Sequence, residues 1–416
     1  MAVSPVVVHT NDGGGGVVPS PLKPSSTSNG TPRLARPAAG GEAPAAPAPQ
    51  QHLPMTLDLV EQMNEQEKKK YVKGKKLGEG TYANVYLGHA RHDATVLVAI
   101  KKIKVQKDYK DGLAPDAVRE LKHLQELRNH PNIINLLSVF SSKDQNLNLV
   151  LEYLPLGDLE MLIRDVDRVR YGAADIKAWM GMLTRAVWFC HDNYVLHRDI
   201  KPNNLLIAAD GEVKLADFGL ARSFADPGTR MTANVITRWY RPPELLFGAR
   251  HYSGAVDVWS VGLVFAELVI RAPFLPGNTE VHQIELICQA IGTPTEENWP
   301  GVSQLKDYTV PAPPTPVAGK EAYMTRFGGV GAEGVDLLMK TLLLDPKKRI
   351  TAREMLEHKW WRAEPRPTRK EDLPRKSGGE EKLADDLKRR PGVVEDEGST
   401  ARGGKVARKL DFGAAK

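Results

Sequence analysis

The spacing of apolar residues divides the chain into three parts. Residues 1–54 are rich in Pro, Gly, Ala and Ser and carry few apolar positions. Residues 71–362 show strand-like alternation and then helix-like spacing, whereas residues 363–416 are charged and have no regular period. A segment with little apolar surface cannot offset the chain entropy that is lost on folding. We therefore predict one folded domain at 71–362 between two disordered segments, with a polar, partly helical lead at 55–70.

The first part of the predicted domain has the two-residue alternation of β-strands. Strands are predicted at Tyr71–Glu79, from about Val85 to Gly88, and at Thr95–Ile103, Leu136–Val139 and Asn148–Glu152. One helix is predicted at Pro115–Arg128, because Pro suits a first helical turn and Val118, Leu121 and Leu124 share one face. This part is therefore predicted to be a five-stranded antiparallel sheet with one helix.

Helical spacing dominates the second part of the domain. Apolar residues recur on one helix face from Ile176 to Cys190, and Val256–Ile270 is apolar enough to form a buried core helix. Weaker helical patterns occur near Thr279–Ala290, Gly334–Leu344 and Thr351–His358, with mostly loop at 293–325. We predict an α+β fold with two lobes, a small antiparallel β-sheet lobe at 71–153 and a larger helical lobe at 156–362.

Composition and charge exclude several classes of protein. Charged residues make up 26% and hydrophobic residues 41% of the chain, which is ordinary for a globular protein. The net charge of +6 is modest, and the charged tail has no interleaved aromatic residues, so we expect no direct contact with nucleic acid. No segment has the pattern of a secretory signal or a membrane span. Cys190 and Cys288 lie in apolar helical stretches, which indicates reduced thiols and an intracellular protein.

The candidate chemistry is concentrated in residues 197–222. His197-Arg198-Asp199 is followed five residues later by Asn204, and Asp217-Phe218-Gly219 stands further on. The strand-like runs between them flank Asp210-Gly211, a hairpin turn signal, so Asn204 and Asp217 are predicted to converge. Their oxygen atoms suit Mg²⁺ that is shared with phosphate. Asp199 would accept a proton from an incoming hydroxyl group.

An acidic triplet alone is usually a solvated turn, and the chain contains an example. Asp411-Phe412-Gly413 repeats the second triplet in the charged tail, with no strand before it, and we assign it no function. The copy at Asp217 differs because its partners stand in a fixed order.

A glycine-rich turn, Gly78-Glu79-Gly80, would let the backbone approach phosphate, although Ala83 occupies the place of the usual third glycine. Lys101 then follows on a predicted strand, and Glu120, which the spacing places off the buried helix face, can pair with it.

This set of residues, in this order, matches the protein-kinase signature. Residues 71–362 resemble a eukaryotic protein kinase, more narrowly a cyclin-dependent kinase, and within that family the CDK-activating kinases that form the kinase subunit of TFIIH. The runs that carry the resemblance are 108–112, 115–120, 197–206, 235–241, 244–250, 271–277, 292–295 and 299–300. Two other classes stay open on the residues alone: a catalytically inactive scaffold, and a basic nucleic-acid-binding protein with a kinase-like core.

The resemblance implies a bilobal kinase fold, with ATP and Mg²⁺ as cofactors and transfer of the γ-phosphate to Ser or Thr followed by Pro. The implied catalytic residues are Lys101, Glu120, Asp199 and Lys201, and the implied metal ligands are Asn204 and Asp217. The implied nucleotide-binding residues are Leu77, Gly78, Glu79, Gly80, Val85, Ala99, Lys101, Glu152, Leu154, Asn204, Leu206 and Asp217. Adenine would be bound by backbone groups of Glu152 and Leu154, beside a pocket made roomier by Leu151 in place of Phe.

The resemblance also implies regulation and partners. Phosphorylated Thr232 would be clamped by Arg119, Arg198 and Arg222, while Thr237 would order Asp199 and Lys201. A cyclin subunit would bring Glu120 to Lys101, so the isolated chain is expected to be nearly inactive. A third, assembly-factor subunit would order the activation loop without phosphate, and the TFIIH core would be a further partner. The implied substrates are the RNA polymerase II tail and the activation loops of other cyclin-dependent kinases, and the implied location is the nucleus.

Overall fold

The structure, a computed structural model, describes residues 55–80, 83–104, 115–142, 146–224, 231–232 and 235–375. The predicted disordered segment 1–54, most of the predicted tail and residues 108–112 lie outside these ranges. Within them, no helix combines the length and the apolar character needed to cross a bilayer.

The N-terminal lobe is the predicted five-stranded antiparallel sheet. Its strands are β1 (Tyr71–Glu79), β2 (Ala83–Ala90), β3 (Leu97–Ile103), β4 (Leu136–Ser141) and β5 (Leu147–Glu152), in the order β1-β2-β3-β5-β4. Helix α2 (Pro115–Glu126) follows β3. In the β2–β3 ladder Val85 lies opposite Lys101, which fixes the lysine at the centre of the sheet.

The polar lead before the domain forms helix α1 (Met55–Lys69) and docks on the edge strand β4. The Asn64 side chain donates to the Ser141 carbonyl at 3.0 Å and accepts from the Ser141 N–H at 2.6 Å. Ser138 also donates to the Glu67 carboxylate at 2.7 Å. These bonds satisfy backbone and side-chain groups of the strand that ends the sheet.

The C-terminal lobe is mainly helical and is built around one buried helix. Its helices are α3 (Leu159–Arg164), α4 (Ala173–Asp192), α5 (Pro243–Leu246), α6 (Ala255–Ile270), α7 (Glu280–Ala290), α8 (Lys320–Phe327), α9 (Gly331–Thr341) and α10 (Ala352–Glu357). Short strands pair as β6 (Val195–Leu196) with β9 (Arg222–Ser223) and β7 (Leu205–Ile207) with β8 (Val213–Leu215). Helix α6 is buried from Ala255 to Leu268, as its apolar sequence predicted.

The turn between β7 and β8 spans residues 208–212 and contains the predicted Asp210-Gly211 pair. Backbone bonds from Ala208 to Glu212 and from Gly211 to Ala208 close it, and of the Asp210-Gly211 pair only Gly211 has a positive φ. A Cβ atom at Gly211 would lie 1.9 Å from the Lys370 carbonyl oxygen. Close approach of the backbone therefore requires glycine here, in addition to its φ of 90°.

The residues that the structure describes continue beyond 362, the predicted end of the domain, to 375. Residues 363–375 cross the C-terminal lobe, and we call them the C-terminal strap. Lys177 is buried and its ammonium donates to the Ala363 and Pro365 carbonyls at 2.7 and 2.8 Å. Lys370 binds Asp210 at 2.6 Å in the β7–β8 turn. Apart from Leu373, which is buried in the core, these contacts of the strap are polar, so apolar spacing did not predict it.

A buried acid in α6 should make stability depend on pH. Glu267 is 3% exposed and accepts a hydrogen bond from the Tyr240 hydroxyl at 2.6 Å. Burial raises the pKa of Glu267 from 4.5 to about 7. The folded protein therefore holds the proton of Glu267 more tightly than the unfolded chain does. The resulting contribution to the free energy of unfolding is fully present below pH 4.5 and is lost as the pH rises to about 7.

We therefore expect Glu267→Gln, which keeps an acceptor for Tyr240, to abolish this pH dependence. The free energy of unfolding of the wild type should fall by on the order of 3 kcal/mol more than that of the variant between pH 4.5 and 8. Denaturant unfolding at several pH values measures this difference. The control Glu321→Gln changes an exposed residue of α8 and should leave the pH profile of the wild type unchanged. Identical profiles for Glu267→Gln and the wild type would contradict the assignment.

Candidate active site

A buried carboxylate holds the backbone of the first motif. Asp257 lies in the first turn of α6, is fully buried, and accepts the N–H groups of His197 at 2.9 Å and Arg198 at 2.8 Å. It also bonds the His191 ring at 2.9 Å. Burial opposes its charge, but these partners prevail and the pKa of Asp257 is lowered. Asp257 was not among the predicted site residues, although an acid inside an apolar run was a usable signal.

His197 joins the first motif to the second. Its Nδ1 accepts the Asp199 N–H at 3.2 Å, so its Nε2 carries the proton and donates to the Ala216 carbonyl at 3.1 Å. The ring also meets Phe218 edge to face, with the ring centres 4.7 Å apart. Burial lowers the pKa of His197, which keeps the ring neutral. The two motifs are therefore packed as one unit, in which the fully buried Phe218 of the second motif contacts His197 of the first.

The carboxylate of Asp199 is held from both sides. Its Oδ1 accepts from the Thr237 hydroxyl at 2.8 Å, and its Oδ2 accepts from the Lys201 ammonium at 2.7 Å and the Asn204 amide at 3.0 Å. Lys201 also reaches Thr237 at 3.1 Å. The expected hydrogen bonding of Thr237 to Asp199 and Lys201 is present. Asp199 is 6% exposed and so has one fixed orientation.

The β7–β8 hairpin brings Asn204 and Asp217 together, as predicted. The Ala216 N–H donates to the Asn204 carbonyl at 2.9 Å, directly before Asp217. The Asn204 amide nitrogen donates to the backbone carbonyl of Asp199 at 2.8 Å and to its carboxylate at 3.0 Å, which fixes the orientation of the amide. Asp217 has a φ of 66°, a conformation that is uncommon for Asp and that here starts a turn of 3-10 helix.

The third part of the site is an ion-pair triad of Lys101, Glu120 and Asp217. The Lys101 ammonium lies 2.7 and 2.8 Å from the two Glu120 oxygens and 3.1 Å from Asp217 Oδ1. Burial disfavours the ammonium, but the two carboxylates outweigh it and the pKa of Lys101 is raised. Lys101 holds the pKa of Asp217 at about 2, whereas burial raises the pKa of Glu120. The Asp217 side chain remains 48% exposed, so an ionised carboxylate faces the outside of the triad.

The sequence assigned the wrong face of this helix to the core. Glu120 lies on the buried face of α2 and is 3% exposed, while Val118, assigned to that face, is 48% exposed. The buried residues of α2 are Ala117, Glu120, His123 and Leu124, and Leu127 is buried directly after the helix. The Glu120 carboxylate is paired with Lys101, which compensates its buried charge. The expectation that a partner brings Glu120 to Lys101 stays a prediction.

The other residues that the resemblance assigned to nucleotide binding have the following positions. Leu77 and Leu154 are buried, Val85 and Ala99 are half-buried in β2 and β3, and Leu206 is half-buried in β7. The Glu152 N–H donates to the Asn135 carbonyl at 3.1 Å, and its carboxylate binds Lys214 at 2.9 Å. An adenine contact at Glu152 is therefore limited to its carbonyl oxygen. The side chain of Glu79 binds Lys104 at 2.7 Å, and Gly78 and Gly80 flank it, while Thr81 and Tyr82 lie outside the described residues.

The four regulatory candidates are placed as follows. The Thr232 carbonyl accepts from the Tyr252 hydroxyl at 2.7 Å, and that hydroxyl accepts from Arg198 at 2.9 Å. Arg222 pairs with Leu196 in the β6–β9 ladder, two residues before Arg198. The fourth candidate, Arg119, is exposed on α2.

The oxygen ligands of the site suit a small divalent cation that shares its shell with water and phosphate. Within the described part of the chain, no three or more His, Cys, Asp or Glu side chains form a metal-binding group. One ionised carboxylate and one amide oxygen, from Asp217 and Asn204, are what Mg²⁺ uses when water and phosphate complete its shell. The residues fit that ion and would not hold a metal that needs a full cage of protein ligands.

The fold has two lobes, a lysine of the sheet is paired with an acid of the helix, and a hairpin carries Asn and Asp. Together these features define a protein kinase. Residues 71–361 match the family model described as protein kinase domain, and the chain belongs to that family. It is 48% identical over 301 residues to serine/threonine-protein kinase KIN28 of Saccharomyces cerevisiae, covering 72% of this chain and 95% of that one. It is 41% identical over 348 residues to cyclin-dependent kinase 7 of Xenopus laevis, covering 83% of this chain and 96% of that one.

A solved structure gives the same result. This chain is 82% identical to a chain of the CAK complex of Chaetomium thermophilum bound to ATP-γ-S, with a TM-score of 0.74. The match covers 76% of this chain and 99% of that one. The predicted fold class and family are therefore confirmed, and the chain is a serine/threonine protein kinase of the cyclin-dependent type.

Proposed function

We propose that this kinase is the TFIIH kinase and transfers the γ-phosphate of ATP to Ser or Thr followed by Pro. The proposed substrates are the C-terminal repeats of RNA polymerase II and the activation loops of other cyclin-dependent kinases, in the nucleus. Relatives with these names, and a solved CAK complex that holds ATP-γ-S, support the proposal. The observation that carries it is Lys101 held between Glu120 and Asp217, beside an Asp199 whose orientation is fixed.

Asp199 is proposed as the base and Lys201 as its partner. The substrate hydroxyl oxygen forms a bond to the γ-phosphorus, the bond from that phosphorus to the β–γ bridging oxygen breaks, and the hydroxyl proton passes to the Asp199 carboxylate. Lys201 lies 2.7 Å from Asp199 and can offset negative charge near the transferred group. Thr237 keeps the Asp199 carboxylate from rotating while the hydroxyl approaches.

Lys101, Asn204 and Asp217 are proposed to position the nucleotide. Lys101 is charged and reaches out from the sheet, so it would neutralise the α- and β-phosphates. Asn204 and Asp217 would hold Mg²⁺, which neutralises charge on the β- and γ-phosphates when it is bound. Glu120 keeps the Lys101 ammonium in place. Leu77, Val85, Ala99, Leu154 and Leu206 supply apolar surface for adenine.

We propose a cyclin, an assembly factor and the TFIIH core as partners. In the proposed complex, a cyclin would hold α2 in the position that pairs Glu120 with Lys101. Val118 is exposed on α2 and offers apolar surface to such a partner. Phosphorylated Thr232, bound by Arg119, Arg198 and Arg222, would hold the activation loop by a second route.

The backbone near residue 236 supports a preference for proline. Arg241 donates to the Val235 carbonyl at 2.9 Å and to the Ile236 carbonyl at 3.1 Å, so both acceptors are engaged. Ile236 has a φ of 70°, which is uncommon for a β-branched residue. A substrate residue with an N–H that is placed against this turn would lack an acceptor, whereas Pro has no N–H to satisfy.

Paired peptides test this substrate class. We expect a Ser-Pro peptide to exceed its Ser-Ala counterpart in kcat/KM by about 10- to 100-fold, the effect of one buried unpaired N–H. A Ser-(N-methyl-Ala) peptide also lacks the N–H and should recover much of the loss. The assay uses the full chain with its cyclin. Equal rates for Ser-Pro and Ser-Ala peptides would contradict the proposed specificity, and no recovery with N-methyl-Ala would contradict its physical cause.

A further inference from the structure

Tyr252 lies in the loop before α6 and links the activation loop to the catalytic loop. Its hydroxyl donates to the Thr232 carbonyl at 2.7 Å and accepts from Arg198 Nη1 at 2.9 Å. Its ring is half-buried against the core of the C-terminal lobe. One hydroxyl group therefore connects Thr232 to the residue next to Asp199.

A second bond supports the same attachment. The Met231 N–H donates to the Arg250 carbonyl at 2.8 Å, and Met231 is 8% exposed. Residues 231 and 232 are thus bound to residues 250 and 252 by two hydrogen bonds. Neither bond involves the hydroxyl of Thr232, so both are available whether or not that hydroxyl carries a phosphate.

Arg198 is itself rigidly placed. Its N–H is bound by Asp257 at 2.8 Å, and its Nε donates to the Leu220 carbonyl at 2.7 Å, just after the Asp217-Phe218-Gly219 motif. Tyr252 therefore attaches Thr232 to a residue that both catalytic motifs hold in place. Without the hydroxyl, the Thr232 carbonyl would lose its donor and Arg198 Nη1 would lose an acceptor.

We propose that Tyr252 is a positioning residue that holds the activation loop in its active arrangement before Thr232 is phosphorylated. The inference rests on the proposed regulatory role of Thr232. Once phosphate is present, charge-assisted bonds from the arginines hold the same segment more strongly. The hydroxyl of Tyr252 should then matter little, so the two effects should be strongly non-additive.

The test is Tyr252→Phe in the full chain with its cyclin, assayed after phosphatase treatment and after complete phosphorylation. We expect kcat/KM of the dephosphorylated variant to fall about 10-fold below that of the dephosphorylated wild type, the range of one charge-assisted bond. The phosphorylated forms should differ by less than about twofold. Activation by phosphorylation should therefore be larger in the variant, which a general loss of stability would not produce.

Tyr308→Phe is the matched control. Its hydroxyl also donates to a backbone carbonyl, that of Pro294 at 2.8 Å, in a loop of the C-terminal lobe. This variant should leave the activation ratio unchanged. Equal losses for Tyr252→Phe in both phosphorylation states, or no loss in the dephosphorylated state, would overturn the inference.

Thr232→Ala separates this inference from the proposed function. If that variant is as active as the phosphorylated wild type, Thr232 is not the regulatory site. The part of the proposed function that assigns regulation to Thr232 is then wrong. The inference about Tyr252 is still decided by comparing the dephosphorylated Tyr252→Phe variant with the dephosphorylated wild type. A lower kcat/KM of the variant supports Tyr252 as a positioning residue, and an equal kcat/KM contradicts that role.

Discussion

Asp217→Asn should lose phosphate transfer almost completely and keep its fold. Asn preserves the shape and an acceptor for Lys101, but removes the ionised oxygen proposed to hold Mg²⁺. Loss of several kcal/mol of charge stabilisation corresponds to a fall in kcat of about 1,000-fold or more. The side chain is 48% exposed, so the melting temperature should change little. Kinetics across a Mg²⁺ titration, together with thermal unfolding, measure both effects.

The chain supplies its own control for this prediction. Asp411 begins a second Asp-Phe-Gly sequence in the tail, to which we assign no function. Asp411→Asn makes the same chemical change in the same local sequence and should leave kcat at the wild-type value. Normal turnover in Asp217→Asn would remove its proposed metal role, and a comparable loss in Asp411→Asn would show that the tail copy takes part in activity.

Asp199→Asn should reduce kcat by about 100- to 10,000-fold, the usual contribution of a positioned acid or base. The Asn oxygen can still accept from Lys201 and Asn204, and its amide nitrogen can donate to the Thr237 hydroxyl, so the local geometry should survive. An amide, however, cannot take the substrate proton. The KM for ATP should change by less than about threefold, because this residue is assigned to the hydroxyl and not to the nucleotide.

Asp210→Asn is the control for Asp199→Asn, since Asp210 is an exposed residue of the β7–β8 turn outside the proposed machinery. It should leave kcat unchanged. A large rise in KM for ATP with normal kcat in Asp199→Asn would instead assign Asp199 to nucleotide binding and contradict its role as a base.

Periodicity predicted most of the regular structure because most of it is held by apolar contact. The sheet strands alternate, and α4 and α6 bury continuous apolar faces. Helix α8 was not predicted, since its buried residues are only Tyr323 and Phe327 within a proline-rich region. The C-terminal strap was missed for a related reason, because Lys177 and Lys370 hold it through polar bonds.

The active site likewise has features that the sequence predicted and features that only the folded chain shows. The motif order predicted that Asn204 and Asp217 would meet, and the hairpin brings them together. The burial of Glu120 was not predictable from α2 alone, because its neutralising partner Lys101 comes from a distant strand. Asp257 and Tyr252 were not assigned roles for a similar reason. Their importance lies in backbone groups that only the folded chain brings to them.

We propose that this active site transfers phosphate from ATP to the hydroxyl group of a Ser or Thr that is followed by Pro. The most direct test mixes the purified full chain and its cyclin with ATP labelled in the γ position, Mg²⁺ and a Ser-Pro peptide. We predict labelled phosphoserine in the peptide, in an amount that depends on Mg²⁺ and disappears with Asp217→Asn. A complex that binds ATP and the peptide but transfers no label to serine would contradict the account.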